Sequence, residues 1–195
     1  MRVYLAGPDV FLPQAEVWAE RRKAICARHG LIGVSPLDAL TDEPAAGTDL
    51  PEWRVIALRN EALIRSVDAL IANLTPFRGP SADVGTACEV GFMHALGRPV
   101  FGYATTAVPF TRRTREYAAA HGGAVAAPDG TWRDADGMLI EQFGLGDNLM
   151  LEAAIMDSGG QLIVEDIPAE ARWTDLSVFE RCVEAAAASL RATRA

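Results

Sequence analysis

Residues 83–99, DVGTACEVGFMHALGRP, place two carboxylates on one otherwise apolar predicted helix. The apolar side chains recur at the spacing of one helix face, Asp83 stands at an N-cap position, and Gly97 and Pro99 stand where a helix ends. Glu89 is the acid inside this helix, and a carboxylate is costly to bury there unless it has partners or a reactive role. The alternative is a glutamate at the helix rim that points at water.

A carboxylate held on a rigid helix suits nucleophilic displacement at the anomeric carbon of a sugar. The transition state there is cation-like, so a carboxylate stabilises the charge and then captures it covalently. A second carboxyl group with a raised pKa would protonate the leaving group. The predicted edge of the sheet offers further acids, a phenol and amides: Asp9, Asp38, Asp68, Tyr4, Asn60 and Asn73.

No competing catalytic motif is present in the sequence. It contains no serine nucleophile elbow, no phosphate-binding P-loop and no Cys and His pair at a known spacing. The histidines show no metal-ligand spacing, and the segment Gly144-x-Gly146 lacks the third glycine of a dinucleotide fingerprint. We therefore expect neither a metal nor a cofactor. The cysteines, Cys26, Cys88 and Cys182, lie in apolar helical contexts, which predicts buried free thiols.

Length and composition favour one α/β domain over residues 1–195, because half of the residues are hydrophobic and the chain is short for two domains. No apolar run reaches about 18 residues, and the start of the chain lacks a signal-peptide layout. We therefore expect a cytoplasmic protein that does not bind a membrane. The net charge of −8, without a long basic cluster, argues against nucleic acid as a partner and is compatible with a small nucleoside.

Strand-like and helix-like segments alternate along the chain. The predicted strands are 3–6, 31–34, 67–74, 98–103 and 161–164, and the predicted helices are 13–29, 52–66, 83–97, 112–120, 149–156 and 174–192. Residues 40–51 and 121–137 are predicted loops. This order predicts a doubly wound, five-stranded parallel sheet flanked by helices, with ligands beyond the carboxyl ends of the strands. That edge receives Asp83 and the first turns of the next helix, which places Glu89 near a pocket.

Three blocks of the sequence resemble the nucleoside 2-deoxyribosyltransferase family. They are YLAGPDVF, SVDALIANLTPFRGPSADVGTACEVGFMHALGRPV and FGLGDNLML, which follow the family's order across residues 4–151. The frame D-x-G-T-x-x-E-x-G is specific, and the likeness is to the branch with F-R-G before this frame and a late N-L-M-L. The resemblance implies a flavodoxin-like (Rossmann-like) fold. It also implies an enzyme that cleaves the N-glycosidic bond of a 2′-deoxynucleoside and passes the sugar to another nucleobase.

The resemblance also implies a role for individual residues. Glu89 would be the nucleophile that forms a deoxyribosyl-enzyme intermediate, and Tyr4 would hydrogen-bond and orient it. Asp68 would face the base and handle its proton, while Asp83 would accept the 5′-hydroxyl of the sugar. Asn148 matches a residue that family members donate to the site of the neighbouring subunit, which implies a homo-oligomer, a dimer or higher.

The predicted substrate-binding set is completed by Gly7, Phe11, Asn60, Gly85 and Met150. Phe11 could stack on a base, and Gly85 could permit close approach of the substrate. Each role has a structural alternative. Tyr4 could be a core residue, Asp68 a cap at a strand entrance, and Asp83 and Asn148 could be helix N-caps only.

Two other functions remain open at this point. One is a hydrolase that delivers the same intermediate to water, acting on deoxynucleosides or their 5′-monophosphates. The other is a non-catalytic sensor of a nucleotide-like ligand. Asp83 near the 5′ end of the sugar would repel a phosphate, which favours a nucleoside with a free hydroxyl. The expected partners are therefore a deoxynucleoside and a free nucleobase.

Overall fold

A computed structural model describes residues 1–38 and 50–192 of the chain. The predicted loop at 40–51 lies, except for its last two residues, outside the described residues. The strands are β1 (Arg2–Ala6), β2 (Ile32–Val34), β3 (Ala69–Asn73), β4 (Val100–Ala104), β5 (Ala124–Ala126), β6 (Trp132–Asp134), β7 (Leu139–Ile140) and β8 (Leu162–Val164). The helices are α1 (Ala15–Arg28), α2 (Glu52–Arg65), α3 (Val84–Ala95), α4 (Phe110–Ala120), α5 (Leu149–Asp157) and α6 (Ser177–Ala192).

The central sheet has five parallel strands in the order β2-β1-β3-β4-β8. This confirms the predicted doubly wound, flavodoxin-like architecture. The chain moves outward from β1 to β2 and then returns to β3 on the other side of β1, so the strand order reverses between β1 and β3. In folds of this type, ligands bind at that reversal, beyond the carboxyl ends of the two strands.

Helices cover both faces of the sheet and bury alternate residues of β1 on opposite sides. Val3 and Leu5 pack in a cluster with α1 and α6. Tyr4 and Ala6 pack in the second cluster, with α2, α3 and α5. Both faces of β1 are therefore apolar, as expected for a parallel strand with helices on each side. This alternation also turns the Tyr4 side chain toward the face on which α3 lies.

The segment predicted as a loop at 121–137 instead contains two short strands of a second sheet. Strands β5, β6 and β7 pair in an antiparallel manner. Each strand has only two or three residues, which is too short for an alternating pattern to show in the sequence. Gly130 (φ +82°) and Gly137 (φ +79°) lie in the turns between the strands, where their positive φ is compatible with tight reversals.

The cysteine prediction is correct at two positions and wrong at the third. Cys26 and Cys182 are buried free thiols, whereas Cys88 is exposed. Cys88 lies on the outward side of α3, while Val90 and Met93 turn toward the sheet and are fully buried. An almost wholly apolar helix does not reveal from sequence alone which of its small residues face outward. Within 1–38 and 50–192, no helix combines the length and apolarity needed to cross a bilayer.

Candidate active site

A phenol on the sheet and a carboxylate on a helix form the centre of the site. Tyr4, fully buried on β1, donates a hydrogen bond of 2.8 Å from its hydroxyl to Oε1 of Glu89 on α3. The two residues are 85 positions apart in the chain. The packing of α3 over β1 brings them together, because Tyr4 points to that face of the sheet and Glu89 lies one and a half turns into the helix.

Burial changes the acidity of both groups. It raises the pKa of Glu89 to about 7, the Asp83 carboxylate raises it as well, and the Tyr4 hydrogen bond acts in the opposite direction. Burial and the neighbouring Glu89 raise the pKa of Tyr4 far above its usual value. Tyr4 is therefore a permanent donor, and near neutral pH Glu89 exists in both protonation states. A carboxylate with few stabilising partners is more nucleophilic than one that is fully solvated or paired.

Asp83 caps the helix that carries Glu89. Its Oδ2 accepts hydrogen bonds from the backbone N–H of Thr86 (2.9 Å) and from the Thr86 hydroxyl (3.1 Å). This confirms the N-cap predicted from the sequence. Among the described residues, no hydrogen bond reaches Oδ1, so one oxygen of this carboxylate is available to a ligand. Asp83 can therefore be a cap and a ligand at once.

A cleft of about 330 Å³ opens beside these two acids, at the reversal of strand order. The loops after β1 and β2 form one wall, and α2 and α3 form the other. Six of the residues predicted to form the site line it: Gly7, Phe11, Asn60, Asp83, Gly85 and Glu89. A side chain at position 7 does not fit, since its Cβ would lie 2.5 Å from Oδ2 of Asp9 and 2.8 Å from Cβ of Asn73. Only glycine permits this close approach.

Asp68 is one of the predicted site residues that the structure does not bring to the cleft. It immediately precedes β3, and its Oδ2 accepts a hydrogen bond of 2.8 Å from the backbone N–H of Arg2, the first residue of β1. Asp68 therefore lies at the amino ends of the strands, whereas the cleft lies at their carboxyl ends. The base-facing role does not fit this position. The sequence contained the signal, because an acid at the start of a predicted strand belongs to the edge away from the ligand.

Asn148 and Met150 do not line the cleft of their own chain. Asn148 is the N-cap of α5: its Oδ1 accepts from the backbone N–H of Met150 (3.0 Å), and its Nδ2 donates to Glu141 (2.6 Å). The side chain of Met150 is 69% exposed. Both residues therefore lie outside the cleft, and Met150 is on the surface of the chain.

Arg59 is a cleft residue that the sequence reading missed. It precedes Asn60 on α2 and lines the same cleft. Its positive charge acts to lower the pKa of Tyr4, which places it in the electrostatic environment of the Tyr4–Glu89 pair. The available signal was its position beside Asn60, on the helix turn that follows Ile56, another residue of the cleft wall.

Asp9 and Asn73, two of the polar residues predicted at the sheet edge, are hydrogen-bonded to each other. The Arg22 guanidinium donates to Oδ1 of Asp9 at 2.5 Å, and the Asn73 amide donates to both oxygens at 3.0 and 3.1 Å. Asp38 is similarly bound by Lys23 and by the backbone N–H of Ser35. Among the described residues, no cluster of three or more His, Cys, Asp or Glu side chains has the arrangement of a metal site.

The family model described as nucleoside 2-deoxyribosyltransferase matches residues 3–150. This chain belongs to that family. The match includes β1 with Tyr4, the whole of α3 with Asp83 and Glu89, and the N-cap of α5. The matched region thus includes the residues that line the cleft as well as Asn148.

Three individual proteins are similar to this chain in sequence or in fold. An uncharacterised protein of Schizosaccharomyces pombe is 35% identical over 174 residues, which are 84% of this chain and 81% of that protein. A 2-desoxiribosyltransferase from Leishmania mexicana is 32% identical and superposes with a TM-score of 0.55, over 77% of this chain and 84% of that one. A conserved protein from Enterococcus faecalis is 18% identical with a TM-score of 0.52, over 94% and 97% of the two chains, and shows a shared fold.

Proposed function

We propose that this protein transfers 2-deoxyribose from a 2′-deoxynucleoside to another nucleobase, with Glu89 as the covalent nucleophile. The observation that carries the proposal is the half-buried Glu89 that lines the cleft and accepts a hydrogen bond from the neutral Tyr4 hydroxyl, with a pKa raised to about 7. A purely structural acid would be paired with a cation or saturated with donors. Membership of the deoxyribosyltransferase family supports the same reaction class.

The reaction takes two displacements. In the first, a Glu89 carboxylate oxygen attacks C1′ of the sugar, the N-glycosidic electron pair leaves with the base, and a glycosyl ester forms. In the second, a nitrogen of the incoming base attacks C1′ from the face that the first base left, and the ester bond returns its electrons to Glu89. Two inversions retain the configuration at C1′. Tyr4 holds the attacking carboxylate in place during both steps.

Asn60 takes the base-facing position in this proposal, in place of Asp68. It lines the cleft, and its Oδ1 is buried without a hydrogen-bond partner among the described residues. A carboxamide offers one acceptor and two donors to the edge of a base, so it recognises the base without transferring a proton. The proton that neutralises the leaving base is then supplied by water, and the N–H proton that the incoming base loses in the second displacement returns to the resulting hydroxide. Phe11, which lines the same cleft, offers a ring for stacking on the base.

Asp83 selects the sugar end of the substrate. Its Oδ1 is available to accept the 5′-hydroxyl, as the family resemblance implies. The same negative charge would repel a 5′-phosphate in a cleft with limited solvent. The proposed substrate is therefore a nucleoside with a free 5′-hydroxyl, and its 5′-monophosphate is disfavoured.

The exposed side of α3 and α5 supports a homo-oligomer that shares its sites. Val84 is 84% exposed at the start of α3, and on the neighbouring α5 the side chains of Met150 and Met156 are 69% and 68% exposed. Large apolar side chains that are left exposed on neighbouring helices are often covered by another chain. Asn148 lies at the start of α5, so a second copy seated on this surface could bring its Asn148 to the cleft.

The direct test of the function is base exchange. We expect the protein, incubated with deoxyinosine and adenine, to form deoxyadenosine and hypoxanthine, which chromatography separates. Free deoxyribose released at the same rate with and without adenine would instead support the hydrolase. Ligand binding without any turnover would support the sensor. Glu89→Ala is the matched control, and turnover must be lost in this variant while its circular dichroism is unchanged.

The shared site has a separate test. Glu89→Ala subunits are mixed with Asn148→Ala subunits, and we expect part of the activity to return because one site of a mixed dimer has both residues intact. Since Asn148 also caps α5, Asn148→Ser is the matched control, which keeps a capping oxygen but loses the amide. Absence of recovery, with subunit exchange demonstrated, would contradict the shared site.

A further inference from the structure

Asp147 is a fully buried acid outside the cleft, with only 1% of its surface exposed. Its Oδ1 accepts hydrogen bonds from the Ser81 hydroxyl (2.6 Å) and from the backbone N–H of Asn148 (2.8 Å). Its Oδ2 accepts from the backbone N–H of Ala82 (3.0 Å) and from the Arg113 guanidinium (3.2 Å). Four donors from three separate segments of the chain therefore meet at one carboxylate.

Arg113, on α4, extends this network to the backbone. Its Nε donates to the carbonyl oxygen of Pro80 (2.8 Å), and its two terminal nitrogens donate to those of Val108 (2.5 Å) and Gly146 (2.7 Å). The side chain is 9% exposed. The planar guanidinium presents several fixed donors, which a lysine cannot reproduce. The Asp147–Arg113 pair thus ties residues 80–82 to residues 146–148.

The two tied segments lead directly into the two halves of the proposed shared site. Residues 80–82 end at Asp83, the cap of α3, and residues 146–148 end at Asn148, the cap of α5. Neither Asp147 nor Arg113 lines the cleft, so neither would touch the substrate. Asp147 and Arg113 can therefore affect the reaction only through the residues to which they are hydrogen-bonded.

We propose that the Asp147–Arg113 pair is a positioning unit that fixes Asp83 for the 5′-hydroxyl of the sugar. This inference rests on the proposed function, in which Asp83 accepts that hydroxyl. The backbone N–H of Ala82, the residue just before Asp83, is bonded to Asp147, so the direction of the Asp83 carboxylate depends on this pair. An acceptor held in advance binds its donor without the cost of reorganisation.

A carboxylate is required at position 147 because all four partners are donors. Asn in its place would turn an NH₂ group toward one pair of these donors and lose the charge that Arg113 faces. Asp147→Asn therefore keeps the volume of the side chain but weakens the hydrogen bonds that hold the backbone of residues 80–82 in place. Ser81→Ala is the milder variant, which removes one donor and leaves the ion pair with Arg113 in place.

The test compares the kcat/KM values of several variants with two substrates. Sugar transfer to adenine is measured from 2′-deoxyinosine and from 2′,5′-dideoxyinosine, which lacks the 5′-hydroxyl. We expect Asp147→Asn to lower kcat/KM for 2′-deoxyinosine by roughly tenfold, the size of one charge-assisted hydrogen bond. With the dideoxy substrate, the same variant should lose clearly less, since there is no hydroxyl to misplace and the remaining loss comes from Asn148, whose backbone N–H also donates to Asp147.

Asp83→Ala should show the same pattern with a larger loss for 2′-deoxyinosine, because it removes the acceptor itself. Asp166→Asn is the matched control: Asp166 also accepts from a backbone N–H, that of Ala107, but has no bond to residues 80–82. It should leave both substrates unaffected. If Asp147→Asn does not fold, Ser81→Ala replaces it, with a smaller loss confined to 2′-deoxyinosine.

Equal losses with both substrates would overturn the inference, because they would show a general structural effect. Turnover of neither substrate by the unmodified protein would overturn the proposed function and this inference with it. The two failures are therefore distinguishable in one experiment.

Discussion

Glu89 and Asp9 are both acids near the reversal of strand order, one on α3 and the other in the turn after β1. Within residues 1–38 and 50–192, Glu89 receives one hydrogen bond, from a neutral phenol, and it shares its cleft with a second carboxylate. Asp9 receives the Arg22 guanidinium and the Asn73 amide. Burial raises the pKa of both acids. For Asp9, the Arg22 cation and the Asn73 amide lower the pKa in opposition to burial. For Glu89, the neutral Tyr4 hydroxyl is the group that opposes burial.

The difference shows how one fold assigns two roles to the same functional group. The negative charge of the buried Asp9 is balanced by the Arg22 guanidinium at 2.5 Å. Asp9 also packs closely against Gly7 in the turn after β1. Glu89 is half-buried and has no cation among its hydrogen-bond partners in the described chain, so its negative charge is poorly stabilised, which makes the carboxylate basic and nucleophilic. Substitutions at one acid or the other should therefore have different effects.

The largest expected effect is the loss of transfer in Glu89→Gln. The amide keeps the size of the side chain and an oxygen for the Tyr4 hydroxyl but cannot form the glycosyl ester, so we expect the exchange rate to fall by roughly 10⁴-fold or more. Initial rates of base exchange measure it. Asp9→Asn serves as the comparison and should keep far more activity, because Asp9 forms no bond to the sugar. A rate of Glu89→Gln within about tenfold of the unmodified protein would contradict the assignment.

Removing the cation that pairs with Asp9 should lower the stability of the fold. Arg22→Met leaves Asp9 buried without its guanidinium, and we expect the free energy of unfolding to fall by about 3–5 kcal/mol. Urea unfolding at pH 7 measures this change. The double variant with Asp9→Asn should recover part of the loss, because the unpaired charge is then gone. A change below about 1 kcal/mol would show that Asp9 does not depend on its cation.

Glu89 should behave in the opposite way, as an acid that destabilises the fold when it is charged. Its pKa of about 7 in the folded chain lies above the ordinary value of 4.5, so the folded state binds more protons than the unfolded state between these values. The contribution of Glu89 to the stability of the fold therefore falls as the pH rises from 4.5 to 7.

Glu89→Gln removes this penalty. The variant should exceed the unmodified protein in unfolding free energy by about 3 kcal/mol above neutral pH, and the difference should vanish well below the ordinary pKa. Denaturant titrations at a series of pH values test this dependence. A difference in unfolding free energy that does not depend on pH would show that the charged form of Glu89 does not destabilise the fold.

The smallest expected effect comes from Tyr4→Phe. The phenyl ring still fills the core, but the hydrogen bond that stabilises the carboxylate is lost, so the pKa of Glu89 should rise above its value of about 7. We expect the acid limb of the kcat/KM profile to move to higher pH and the rate at neutral pH to fall by roughly tenfold. An unchanged acid limb would show that Tyr4 does not control the nucleophile.

The fold and the central residues of the site are readable in the sequence because their signals are local. Alternation of apolar strands and amphipathic helices predicts the parallel sheet, and the Asp83 N-cap is marked by its position before an apolar helix. Strands β5–β7 were missed because two or three residues are too few to show a period. The exposure of Cys88 was missed because α3 is apolar on nearly every side.

What the sequence by itself determined is the class of architecture, the family motifs and the acids available for chemistry. Tertiary structure alone decided which acid meets which partner: Tyr4 meets Glu89 across 85 positions, Asp9 meets Arg22 and Asn73, and Asp68 lies at the far edge of the sheet. Helix periods and caps arise from contacts within a few residues. Strand order, register and the burial of a charge depend on segments that are distant in the chain, so the reactivity of Glu89 emerges only when the sheet and α3 are packed together.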